Sequence, residues 1–185
     1  MSREEFLKLY WKQYQLLEKD MIQTDAYVSI DKDNYDTFSN QYMKLMLAIC
    51  SEVDSVAETL CRICGDTIPF GIKNKLDMLV EKYPDLKKYR VHTKYPYDIK
   101  NITPLVKFHD SVSDWWGAYN DVKHRRMEQN DAGRYNYTKA NLKNVLYALA
   151  ALYILNCNVY DNLESNGKPR AEILTSALFE TELIL

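Results

Sequence analysis

Asn120 and His124 stand four residues apart in the segment DWWGAYNDVKHRR, residues 114–126. Four residues make one turn of an α-helix, so the two side chains share one side of it. Histidine titrates near neutrality and can take or give a proton. An amide one turn earlier can fix a substrate oxygen, a water or the imidazole ring. Arg125 and Arg126 follow directly, and a guanidinium fork suits a phosphate or a developing phosphorane. These groups are a minimum for cutting RNA without a metal. A base takes the 2′-hydroxyl proton, the oxygen attacks its own phosphate, and a cyclic phosphate forms. The same set can also grip a phosphate and catalyse nothing. In the plainest alternative, Asp121 and Arg125 pair across one turn on a solvated surface, worth a few tenths of a kcal/mol, and His124 is an ordinary surface histidine.

Other chemistries find less support. The histidines at 92, 109 and 124 lie far apart, and Asp110 beside His109 belongs to no motif that gathers carboxylates on one face. Cys61 and Cys64 form a lone CxxC in an apolar helical pattern, with no second CxxC and no histidine at zinc-finger spacing. A redox pair would follow a strand and open a helix; this one closes a helix before Gly65. The four cysteines, 50, 61, 64 and 157, are read as small buried thiols of a reducing compartment. No metal and no cofactor are expected.

The elements that must hold these residues are helical. Phe6, Leu7, Tyr10, Trp11, Tyr14, Leu17 and Met21 recur at spacings of three and four, which predicts a helix from Glu4 to about Thr24. Residues 27–30 form an extended connection and 31–36 a polar turn. Ser39 is a good N-cap for a long helix through Tyr42, Leu45, Met46, Ile49, Val53, Val56, Leu60 and Ile63. Gly65 can end it in a left-handed cap. A shorter helix spans Ile72 to Tyr83 and breaks at Pro84. Residues 84–110 lack lasting periodicity, but Ile99, Ile102, Leu105, Val106 and Phe108 require partial packing. The basic residues of this segment, Lys87, Lys88, Arg90, Lys94 and Lys100 among them, are placed to rim a groove. Helical sequence resumes near Ser113 and continues to about Gln129. Residues 130–133 are a turn, and from Thr138 or Asn141 a strong alanine- and leucine-rich helix begins. Residues 164–170 are a loop. The last fifteen residues read equally as a short docked helix, an extended piece or a frayed tail.

These elements specify an all-α fold, an antiparallel bundle of four to five main helices with a long, partly ordered connection at 84–110. At 185 residues the chain reads as one domain, with 163–185 as its periphery. It can bury a core without staples. Formal charge is -2, from 24 basic and 26 acidic residues. No whole-molecule attraction to nucleic acid or anionic lipid follows, so any polyanion site must be local. The N-terminus has no secretory pattern, no stretch approaches a membrane span, and a cytoplasmic location with no membrane partner is expected. Trp115, Trp116 and Tyr119 are assigned to packing rather than to base stacking.

With Asn120 and His124 on a late helix, and an alanine- and leucine-rich helix after it, the chain resembles the HEPN superfamily. The usual motif there is arginine, an asparagine or other polar residue, three variable residues and histidine. Asn120 and His124 fall on the amide and the histidine. Tyr119 stands where the arginine would be, and Arg125 and Arg126 are the alternative sources of its charge. An acid from an earlier helix often joins the family's site, which directs attention to Glu52 and Asp54. The wording WWGAYNDVKHRR is also similar to that of uncharacterised bacterial proteins of abortive-infection type. The resemblance spans about residues 39–160, and its specific part is residues 119–124. It implies a homodimer with both motif helices near the two-fold axis, RNA as substrate or ligand, and a place in toxin–antitoxin or antiphage defence. An antitoxin or another protein partner would go with that role. On this basis the chain is expected to be a metal-independent endoribonuclease or an RNA-binding relative of one. The alternative is a non-catalytic dimeric helical interaction or regulatory protein, motivated by the missing arginine and the near-neutral charge.

Overall fold

The computed structural model describes residues 1–65, 67–107, 114–163 and 174–183. As expected, helices dominate. The first rod comprises α1 (Arg3–Phe6), a π turn (Leu7–Trp11) and α2 (Lys12–Gln23). Ser2 caps it in a capping box with Glu5. Next come α3 (Asn40–Ile63), α4 (Ile72–Lys82), α5 (Asp114–His124) and α6 (Leu142–Asn162).

Helix α3 begins where Ser39 accepts a hydrogen bond from the Tyr42 amide at 3.0 Å and closes before Gly65, whose φ is 76°. Its buried stripe runs from Tyr42 through Ile49 and Val53 to Leu60 and packs mainly on α6. Asn141 caps α6 by accepting from the Asn144 amide at 3.0 Å. Helix α6 is apolar on nearly every side, and its residues from Val145 to Tyr160 are largely buried. A helix of that kind must be surrounded by others. It is long and apolar enough by composition to cross a membrane, yet 83% of that stretch is buried inside the fold, as befits the central helix of a globular core.

Two regions differ from the sequence reading. Strand β1 (Tyr89–Thr93) lies within the 84–110 connection and pairs antiparallel with β2 (Phe179–Leu183), Val91 opposite Thr181. Of the readings open for the last fifteen residues, the extended one holds at 179–183. Leu174, Leu178 and Phe179 are buried. Helix α5 ends at His124 rather than near Gln129. There Asn136 donates its side-chain amide to the Arg125 carbonyl at 3.0 Å, and residues 125–137 fold back as a hairpin with Gln129 bridged to Tyr135. Asn130 accepts from the amides of Ala132 and Arg134 at 3.1 and 2.9 Å and shapes the turn. The expected helix start at Ser113 and the loop at 164–170 lie outside the described residues, as do Phe108, His109 and Asp110.

Candidate functional site

Helices α3, α4 and α5 meet around a cleft of about 950 Å³. Helix α5 contributes Trp116, Tyr119, Asn120, Lys123 and His124. Helix α3 contributes Ser51, Asp54 and Glu58, which repeat at helical spacing, and α4 contributes its first turn. Helix α5 is seated by its aromatic residues. Trp115 and Trp116 are 2% and 7% exposed, and the Trp115 indole donates to the Pro104 carbonyl at 2.9 Å. Packing is thus their main work, although Trp116 and Tyr119 also form part of the cleft wall.

His124 is exposed at the last position of α5, and Asn120, one turn earlier, is half-buried. Among the described residues neither side chain has a hydrogen-bonding partner. Tyr119, at the position of the family's arginine, is buried against Trp116 with ring centroids 4.8 Å apart. The Lys123 ammonium lies 5.3 Å from the centre of the Tyr119 ring, within the range of a cation–π contact. A cation therefore does stand beside Tyr119, carried by Lys123.

Asp54 lines the cleft and Glu52 does not. Residues 52 and 54 are about 200° apart around a helix, so they cannot both face α5. Glu52 is half-buried, and burial holds its carboxyl above the usual glutamate value. Arg125 and Arg126 also lie off the cleft. Arg125 is paired with Asp121, which also receives the Lys139 ammonium. Arg126 donates through Nε to the Val122 carbonyl at 3.2 Å.

The feature missed in the sequence is Lys75. It belongs to the buried stripe of α4 with Ile72, Leu76 and Leu79. Its ammonium reaches Asp54 at 3.0 Å and Glu58 at 3.1 Å. Burial opposes its charge, but the hydrogen bonds to those two carboxylates outweigh this and hold it above the ordinary lysine value. Glu58 is in turn held below the usual glutamate value by Arg62 and by Lys75. The signal was available: a lysine in an apolar stripe needs a partner, and Asp54 and Glu58 are one turn apart on a facing helix. Opposite α5, the first turn of α4 begins at Gly71, whose φ of 81° suits glycine, and has no side-chain cap. The first-turn amides, which have no side-chain cap among the described residues, and the positive end of the helix dipole favour an anion there.

Comparison of the chain with protein-family models, with curated proteins and with solved structures finds no match. The site is therefore read from its geometry.

The remaining expected groups are engaged elsewhere. His92 bridges the sheet, with Nε2 3.1 Å from Glu182 and Nδ1 accepting from the Asn101 amide at 3.2 Å. Basic residues of the 84–110 connection do not rim the cleft. Lys88 and Lys100 pair with Asp85 and Asp98, and Lys94 donates to the Ser176 carbonyl at 2.7 Å. Cys50, Cys61 and Cys157 are buried. Cys64 is only half-buried, with its sulfur 3.2 Å from the Tyr83 hydroxyl. Among the described residues no three metal-ligating side chains gather.

Proposed function

We propose that the cleft between α3, α4 and α5 binds RNA and cleaves it without a metal ion, as a divergent member of the HEPN superfamily. One observation carries this reading. Asn120 and His124, one turn apart and without hydrogen-bonding partners among the described residues, line the same cleft as Asp54, Lys123 and the start of α4.

In this reaction His124 accepts the proton of a ribose 2′-hydroxyl, and the 2′-oxygen attacks the adjacent phosphorus. The bond from phosphorus to the 5′-oxygen breaks, and that oxygen leaves with a proton. The products are a 2′,3′-cyclic phosphate and a 5′-hydroxyl. In a homodimer, His124 of a second copy would supply the leaving-group proton. Asn120 orients the phosphate or the ring, and Lys123 takes the phosphate-holding role expected of Arg125 or Arg126. A composite dimeric site of this kind, acting in defence and held in check by an antitoxin or another protein, is the biological setting the resemblance suggests.

The test is incubation of the protein and its His124→Ala variant with structured RNAs, tRNAs included, in EDTA, with mapping of the product ends. Cyclic-phosphate ends are expected from the parent, and a loss of at least about 100-fold from the variant. Tight binding without cleavage would favour an RNA-binding relative, and neither binding nor cleavage would favour a second reading, a non-catalytic dimeric helical interaction or regulatory protein. That reading is favoured by Tyr119 in the arginine's place and by Asp54 and Glu58, which offset much of the positive charge around the cleft.

A further inference from the structure

Beyond His124 the chain enters a hairpin whose surface is both basic and aromatic. Residues 123–139 carry Lys123, Arg125, Arg126, Arg134 and Lys139 against Glu128 and Asp131, with Arg125 and Lys139 paired to Asp121, in a chain of net charge -2. On this hairpin Tyr135 and Tyr137 stack with ring centroids 6.3 Å apart. Phe38 meets Tyr137 edge-on at 5.4 Å. The three rings are 42%, 40% and 38% exposed, so they form a continuous strip open to solvent.

The strip is rigidly mounted. The Tyr137 amide donates to the Arg126 carbonyl at 3.3 Å, and the Asn136 amide to the Glu128 carbonyl at 2.8 Å. Phe38 is set by the Leu142 amide, which donates to the Thr37 carbonyl at 3.0 Å, and by the bridge between Phe38 and Asn141. The Tyr137 backbone is thus anchored to Arg126, two residues beyond His124. Arg134 is exposed beside Tyr135, and among the described residues its guanidinium has no partner.

We infer that Phe38, Tyr137 and Tyr135 form a stacking platform for the unpaired bases of a single-stranded RNA whose backbone runs along Arg126 and Arg134 toward His124. Exposed rings beside a basic track are what sequence-tolerant single-strand binding requires. The rings accept bases of any identity, and the guanidinium groups hold the phosphates between them. The site rests on the cleft reading only for its choice of RNA: chemistry at His124 needs a 2′-hydroxyl, and the strip delivers a strand to it.

The experiment separates binding from cleavage. A fluorescein-labelled 2′-O-methyl oligouridylate, which cannot be cut at its 2′-oxygen, is titrated against the parent, Tyr135→Ala/Tyr137→Ala, Tyr135→Phe/Tyr137→Phe and Arg134→Gln. Circular dichroism confirms that each is folded. The double alanine variant is expected to lose about tenfold or more in affinity, and the phenylalanine pair to retain it, since stacking needs the ring and not the hydroxyl. Arg134→Gln should lower the salt slope by about 0.7. Unchanged affinity in the double alanine variant overturns the platform, and so does equal affinity for a duplex. Failure of the parent to bind the probe overturns it too, while cyclic-phosphate mapping on structured RNA judges His124 separately. A halved mass of the alanine variant in light scattering, with RNA affinity unchanged, would make the strip a contact between copies and overturn the proposal.

Discussion

Two polar clusters of this molecule are built on opposite terms. Glu18, on α2, is 3% exposed and fully engaged. It accepts from the Tyr14 hydroxyl at 2.7 Å, from the Ser176 hydroxyl, and from the amides of Ala177 and Leu178 at 2.9 and 3.1 Å. Ser176 in turn accepts from the Phe179 amide at 2.7 Å. One carboxylate therefore ties the C-terminal segment to the first rod and starts β2. At the cleft, Asn120 and His124 have exposed or half-exposed side chains with no such partners among the described residues. A satisfied buried cluster rigidifies what it holds, whereas unengaged donors and acceptors in a cleft are available to a ligand. Burial and satisfaction thus separate the polar groups that hold the fold from those open to a ligand better than residue type does.

The comparison breaks if Glu18 can be removed cheaply. Glu18→Ala leaves the buried Leu178 amide, the part-buried Ala177 amide and the buried Ser176 hydroxyl without their acceptor, and should cost about 3–5 kcal/mol of unfolding free energy. Denaturant melting measures the loss, and hydrogen exchange should show it concentrated at residues 89–93 and 174–183. A cost below about 1 kcal/mol would mean that the strand is held by its apolar contacts alone. His124→Ala should do the reverse. On the proposed reading RNA cleavage collapses, while stability stays within about 0.5 kcal/mol of the parent, as for other exposed positions.

The same contrast explains what could be read in advance. The helices were legible because each has an apolar stripe at helical period and most carry a local stop or start, such as Ser39 before α3 and Asn141 before α6. Asn120 and His124 were legible because their relation lies within a single turn. The β1–β2 pair was not, because residue 91 meets residue 181 and nothing near either announces the other. The Glu18 clip has the same problem, with its partners some 160 residues away. The early end of α5 depends on Asn136, eleven residues on. Lys75 was a different failure. Its position among Ile72, Leu76 and Leu79 was readable, but its meaning depends on which acids of α3 face it.

Lys75 lies between the two extremes, buried like Glu18 yet on the cleft. Its partners Asp54 and Glu58 have side chains 47% and 37% exposed, so they resolvate when the ammonium is removed. Lys75→Met should therefore destabilise the fold less than Glu18→Ala. It should also weaken RNA binding, because two uncompensated carboxylates then line the cleft. Its folded-state pKa is raised, so its contribution to stability is complete below the ordinary lysine value and is lost as pH rises through the raised one. The gap between parent and Lys75→Met should close in that alkaline range, and a gap that stays constant with pH would show that the lysine contributes through its methylenes alone.

The smallest effect belongs to Asp121, the acid that holds Arg125 away from the cleft. Burial pushes its carboxyl up, but hydrogen bonding and charge from Lys139, with Arg125 behind them, prevail and hold it below the usual aspartate value. A depressed folded-state pKa contributes stability above the unfolded value, and that contribution disappears as pH falls through the depressed one. Melts of the parent and Asp121→Asn should accordingly differ by about 1 kcal/mol at neutral pH and converge on acidification below the aspartate range. The same substitution frees Arg125, one residue from His124. If the freed guanidinium turns toward the cleft, RNA affinity rises as stability falls. If Arg125 stays where the helix geometry places it, only the stability changes, and Lys123 remains the cation of α5 that lines the cleft.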